Sequence, residues 1–433
     1  MTALAAPAAA TATRLSGSAL AAYALFGLPL MMTALPLNIL LPDFYAARTG
    51  IALGTIGNIM LATRLIDAAV DPLLGAWVDA EKTRASYARP LLLAAPVLAL
   101  AFWLLFHPPA ALRIDGDANG GAALWLFTTL ACAYVGFSLA TVAYQAWGAE
   151  LAHDDAGRTR VVGSREAAGL IGVLIGGSLP QIAGYQALAI TFLILFVLLL
   201  ALLLARAPRP RASGKAITGN PYLAFIEPLR FANARWLLTV FACNALAPAI
   251  TSTVFIFFVA DRLALGAQSG LFLALYFVSG AASMPLWIRL ARRFSLHALW
   301  LAGMVAAVVS FVWAYWLGAG QLAAFAAICV VSGLAFGADL ALPPSLLARV
   351  IDSNGHAGQR EGSYFGLWNA VNKLVLALAG GIALNLVTAL GYERGASSEA
   401  ALAALALTYA VVPCALKLLA ASLLFMAWRQ QRF

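Results

Sequence analysis

Apolar residues run along this chain in blocks of eighteen or more, punctuated by Gly and Pro and separated by short charged loops. Blocks of that length predict α-helices able to span a bilayer, whereas a membrane β-barrel would show alternating ten-residue segments. Twelve spans are predicted. The first six run from about Ala19 to Ala205 and the second six from about Ala234 to Ala427. Between them, APRPRASGKAITGNPYLAFIEPLR is rich in Pro, Gly and basic residues and reads as a cytoplasmic linker. The expected organisation is a tail at 1–17, a six-helix bundle at 18–206, a linker at 207–232, a second bundle at 233–428 and a short tail at 429–433.

The halves echo each other. REAAGLIGVLIGGSLPQIAGY at 165–185 resembles NAVNKLVLALAGGIALNLVTALGY at 369–392, with a Gly-Gly pair and a Gly-Tyr ending in each. Two similar bundles can rock about a site at their interface, which suggests a transporter. Gly172, Gly176, Gly177, Gly380 and Gly381 would let helices approach and slide, although glycine is frequent in membrane bundles of every kind.

Composition agrees: 63% of the residues are hydrophobic and 10% charged, which excludes a soluble globule. A net charge of +9 would raise nucleic-acid binding in a soluble protein, but here the positive charges track topology. Most of the 27 Lys and Arg fall in the tails, the linker and alternate loops. The opposite loops keep only Arg48, Arg113, Arg262 and Arg394. Both termini are therefore expected in the cytoplasm. The Ala-rich start lacks the basic head of a signal peptide and leads into a full-length span. The four cysteines, each alone in an apolar run, read as packing residues. No nucleophile elbow, phosphate loop or His-Glu-x-x-His is present, and His107, His153, His297 and His356 form no metal-like group, so no enzyme is expected.

One apolar block carries charges: RLIDAAVDPLLGAWVD at 64–79. Arg64, Asp67 and Asp71 are spaced i, i+3 and i+7, so all three project from one face of a helix. Carboxylates facing lipid cost a few kcal/mol each, so these must face the bundle interior or a water-filled cavity. Pro72 leaves the carbonyl of Ala68 without its helical donor. Two acids offset by one arginine keep about one negative charge, which one proton or one Na⁺ would cancel. A static Arg–Asp structural pair is the alternative.

These residues resemble the second-helix signature of the glycoside-pentoside-hexuronide:cation symporters, the melibiose-carrier-like family of the major facilitator superfamily. The likeness continues through YQAWGAEL…RTRVVGSREA at 144–167, FVSGAASMPLWIRLARRF at 277–294, FGADLALPPSLLARVID at 336–352 and REGSYFGLWNAVNK at 360–373, and so covers nearly the whole chain. It implies an all-α fold of twelve transmembrane helices in two six-helix halves, and a symporter working by alternating access. It further implies cation binding at Asp67 and Asp71 with a hydroxyl from Ser138, and charge balance from Arg64. Substrate contacts would come from Arg165 and Lys373. Gln145 stands where the melibiose-transporting branch has a sugar-stacking tryptophan, and Thr141 near the place of a sugar-binding aspartate.

Trp368, Asn369 and Asn372 add a polar and aromatic cluster around Lys373, suited to a sugar ring. Asp79 and Arg84, after the second helix, and Asp339, in the tenth, are candidate gating residues. Basic residues after helices two and eight would latch to Glu150, Asp154 or Asp155, or simply anchor to anionic lipid. Lys417 reads as structural. Val70 precedes Asp71 where Na⁺-coupled members carry an oxygen-bearing side chain, which favours H⁺ over Na⁺.

The expected function is cation-coupled import of a sugar, glycoside or sugar acid across a bacterial inner membrane. No cofactor, no nucleic-acid partner and no metal beyond a Na⁺ at Asp67 and Asp71 are expected, and the protein should act as a monomer. A carrier of lysophospholipid or another amphipathic solute on the same fold, and a non-transporting scaffold or enzyme, are the rival readings.

Overall fold

The computed structural model describes residues 16–51, 53–85, 87–109, 112, 120–152, 154–208, 225–392 and 398–432. Among these the chain forms twelve long helices and no strand. The first, α1 (17–49), is a chain of short helical pieces with a π-helical turn at Pro36–Leu40. α2 (Leu53–Ala85), α3 (Ala88–Phe106), α4 (Gly121–Ala149), α5 (155–183) and α6 (185–206) complete the first half. The second half holds α7 (Ala232–Arg262), α8 (Gly266–Leu290), α9 (Leu296–Trp316), α10 (Leu322–Ser353), α11 (Glu361–Ala389) and α12 (Glu399–Arg429). Ten spans are apolar enough to cross a membrane by length and composition. The remaining two are α2, which carries Arg64, Asp67, Asp71 and Asp79, and α5, which carries Arg165.

The internal echo is structural. Gly184 breaks α5 from α6 with φ 82°, and Gly391 follows α11 with φ 87°. Both Gly-Tyr endings therefore mark a turn whose left-handed backbone a Cβ would strain. Gly172 and Gly176 of α5 also act as expected: a Cβ on either would collide with the α1 backbone, at Leu28 and Met32. The side chain of Gln181 and the surroundings of Gly381 lie outside the described residues.

The halves meet through α2, α4 and α5 on one side and α8, α10 and α11 on the other. They close most tightly at the end that carries the linker. There a Cβ on Gly75 would stand 2.8 Å from the carbonyl oxygen of Gly362, and one on Gly362 would stand 2.6 Å from that of Gly75. One turn further, the buried Asp79 caps α11. It accepts from the backbone amides of Gly362 (2.6 Å) and Ser363 (2.8 Å) and from the Ser363 hydroxyl (2.6 Å), satisfying helix N–H groups that lack an intrahelical partner.

Beside this cap, two ion pairs run in opposite senses between the start of α5 and the end of α10: Arg158 to Asp352, and Arg349 to Asp155 at 3.2 Å. Of the three acids expected to latch this end, Asp155 pairs with α10. Asp154 caps α5 through the Gly157 amide at 3.3 Å, and Glu150 accepts from Tyr87. Arg89 bonds Glu81 at 2.8 Å. The Arg84 side chain and the first fifteen residues lie outside the described residues, as does most of the linker.

Candidate functional site

The i, i+3, i+7 stripe on α2 holds, but only its acids turn inward. Asp71 is fully buried, Asp67 is 4% exposed, and Arg64 is exposed. Since α2 rises about 1.5 Å per residue, Asp71 lies roughly 12 Å from the Asp79 cap, near the middle of a helix of 33 residues. Here α11 crosses from the other half and delivers Lys373. Its ammonium lies 2.6 Å from Asp67 Oδ2, 2.9 and 2.7 Å from the two oxygens of Asp71, and 2.9 Å from Ser138 Oγ on α4. The Ser138 hydroxyl donates in turn to Asp67 Oδ1 at 2.6 Å.

Four oxygens thus converge on one cationic nitrogen. Two carboxylates and one ammonium leave one unit of negative charge, in a site where taking charges out of water is costly unless they are paired. Lys373 keeps 26% of its side chain exposed, so the site remains reachable.

One expectation needs correction at this point. Arg64 was expected to offset the acids. Instead its guanidinium donates to Asn38 Oδ1 in the π-helical turn of α1, and the offsetting charge comes from Lys373. Asn38 itself donates to the Ala34 carbonyl at 2.7 Å, which holds it in place. Lys373 was expected to engage substrate; here its nitrogen lies against the carboxylates and Ser138.

Around this cluster the structure brings some candidates together. Gln145 of α4 and Asn369 of α11 join across the halves, the Asn369 amide donating at 3.0 Å. Trp368 is buried and stacked on Phe241, ring centroids 3.5 Å apart. Thr141 is buried, with a hydroxyl that has no hydrogen-bond partner among the described residues. Arg165 is not part of this group: it is 5% exposed and its guanidinium pairs with Glu166, next in sequence, at 2.6 Å.

Asp339, a candidate gating residue, lies inside the second half. There it accepts from Lys417 (2.6 Å), Asn244 (3.1 Å) and the Trp300 indole (3.0 Å), while Lys417 also donates to Asn244 at 3.0 Å. Lys417, read as structural, is thus the partner of Asp339. No spacing rule links a residue on α10 to one on α12, so only the fold could show the pair. No group of three or more His, Cys, Asp or Glu placed to hold a metal occurs among the described residues.

Residues 22–427 match the model of a family described as MFS/sugar transport protein. The chain belongs to that family. It is a transporter of the major facilitator superfamily, not an enzyme. No curated protein matches the sequence.

Among solved structures, the transporter resembles FucP in the outward conformation, with a TM-score of 0.65 and 16% identity over 94% of this chain and 99% of that one. It also resembles a variant of the E. coli fucose:proton symporter FucP, with a TM-score of 0.64 and 16% identity over 93% and 98% of the two chains. A bacterial homologue of the iron transporter ferroportin in its outward-facing state gives a TM-score of 0.70 and 16% identity over 94% and 98%. These likenesses establish the shared fold.

Proposed function

We propose that this transporter is a cation-coupled symporter of a sugar, glycoside or sugar acid, of the melibiose-carrier-like kind. It works by alternating access in a bacterial inner membrane with both termini in the cytoplasm. The observation that carries the reading is the bridge from Lys373 on α11 to Asp67, Asp71 and Ser138 on α2 and α4. The bridge joins the two halves and still leaves one negative charge. A proton or Na⁺ on the carboxylates cancels it, so that the loaded site can be enclosed, whereas the empty one resists enclosure. Moving an uncancelled charge through the full membrane field would add about 2.3 kcal/mol per 100 mV.

Substrate would sit beside the bridge, against Gln145, Asn369 and Trp368. Opening the linker end then requires release of the Asp79 cap and of the two ion pairs between α5 and α10. One solved protein of the same fold is a fucose:proton symporter, and the absence of an oxygen-bearing neighbour at Val70 favours H⁺ here as well.

The test is uptake into proteoliposomes of labelled hexoses, hexuronates and glycosides under imposed H⁺ or Na⁺ gradients. At least one compound should accumulate only with a cation gradient, and Asp71→Asn should abolish that dependence. Accumulation of none of them under any gradient, or coupling that survives Asp71→Asn, would overturn the proposal.

A further inference from the structure

The second half holds a partly open cavity of about 430 Å³ between α7, α8, α9, α10, α11 and α12. Its walls are mostly apolar and include several aromatic rings, among them Phe255, Phe277, Phe311, Phe336 and Tyr409. Asn244, Asp339 and Lys417 also line it, but they are bonded to one another. A bare sugar, with a hydroxyl on nearly every carbon, would leave most of those hydroxyls without partners in such a space, and an unpaired buried hydroxyl is costly. An apolar ring would not. A dry cavity of roughly 150 Å³ lined by apolar side chains already accepts benzene, so this one has room for an aryl group and more.

Its position ties it to the proposed substrate path. Asn372 and Leu376 of α11 form part of the wall. Successive residues on a helix project about 100° apart, so Asn372 faces the cavity while Lys373 reaches across to α2. Phe241, another wall residue, stacks on Trp368 one turn away, and Asn369 beside it holds Gln145. The polar groups suited to a sugar ring therefore border an aromatic chamber.

We propose that the chamber receives the apolar part of the substrate, which makes the substrate class a glycoside or sugar conjugate with an aryl-sized apolar group. This rests on the sugar reading above.

The experiment uses the full chain in lipid nanodiscs, so that no detergent competes. It compares the dissociation constants of glucose, galactose and glucuronate with those of their 4-nitrophenyl glycosides, with and without Na⁺ and at two pH values. At least one aryl glycoside should bind about tenfold or more tightly than its free sugar. Cys329→Phe, which fills the chamber from the wall, should erase that advantage and leave free-sugar affinity unchanged. If Cys329→Phe fails to fold, Ser332→Leu, a smaller filling at a neighbouring wall position, carries the same expectation. Equal binding of free and aryl sugars, or an aryl advantage that survives the filled chamber, overturns this inference and leaves the sugar reading standing. Binding of neither free sugars nor aryl glycosides under any condition overturns both.

Discussion

Replacing Asp71 by Asn removes one of the two carboxylates bridged by Lys373 and changes little in volume. Asp67 and the ammonium, 2.6 Å apart, then balance each other, and the cluster is neutral with no cation bound. Wild type at a cation concentration a hundred times its dissociation constant should gain about 2.7 kcal/mol of stability, and Asp71→Asn should gain none. Lys373→Met acts in the opposite direction. It strips Asp71 of both ammonium contacts and leaves two like charges, at a cost near the low end of the 3–5 kcal/mol for breaking a buried pair, since Lys373 is 26% exposed. Its stability should depend on cation more steeply than that of wild type. The double variant keeps only the Asp67 charge, so cation dependence should return with about 0.5–3 kcal/mol of coupling between the two sites. Thermal unfolding in nanodiscs, scanned against Na⁺ at fixed pH and against pH at fixed Na⁺, reads all four proteins. Wild-type cation dependence in Asp71→Asn, or a double variant indifferent to cation, refutes the charge count.

Gly75→Ala places a methyl 2.8 Å from the Gly362 carbonyl and should destabilise the closed linker end by about 1–3 kcal/mol, which spin-label distances between α2 and α11 would report as a lengthened separation; an unchanged distribution counts against that contact as the seal. Arg158→Asp sets two acids against each other at the start of α5 and the end of α10 and should open the same end, and adding Asp352→Arg should recover most of the closed population. No recovery in the swapped pair means that the ion pair is not what holds it. Burial lowers the His356 imidazole below its ordinary value, where Tyr364 contacts its Nδ1 at 3.0 Å and Phe231 packs edge-on. A depressed folded-state value means that the unfolded chain binds the proton first, so stability should be level above about pH 6.5 and fall as pH drops below it. His356→Gln should flatten that fall, and a variant with the same slope as wild type excludes the histidine as its source.

The twelve helices, the two halves and the inward-facing acids were legible in the chain because hydropathy, length and the 3.6-residue period act over neighbouring residues. The Gly-Tyr repeat was also visible, and its two positive-φ glycines explain why the halves share it. What stayed hidden were partners from distant helices. Arg64, one turn before Asp67, looked like the counter-ion because sequence displays only local spacing. The charge that meets the acids comes from Lys373, which lies 302 positions after Asp71. The same limit hid the surroundings of Asp339, on which Lys417, Asn244 and Trp300 converge from three other helices.

Sequence by itself determined which segments enter the membrane and which faces carry charge, since both follow from the cost of putting polar groups into lipid. Tertiary structure alone decided which charges pair, which glycines touch and where an apolar chamber opens, because those depend on how helices cross. A membrane bundle compensates a buried charge with whichever partner the crossing brings within about 3 Å, not with the nearest one along the chain.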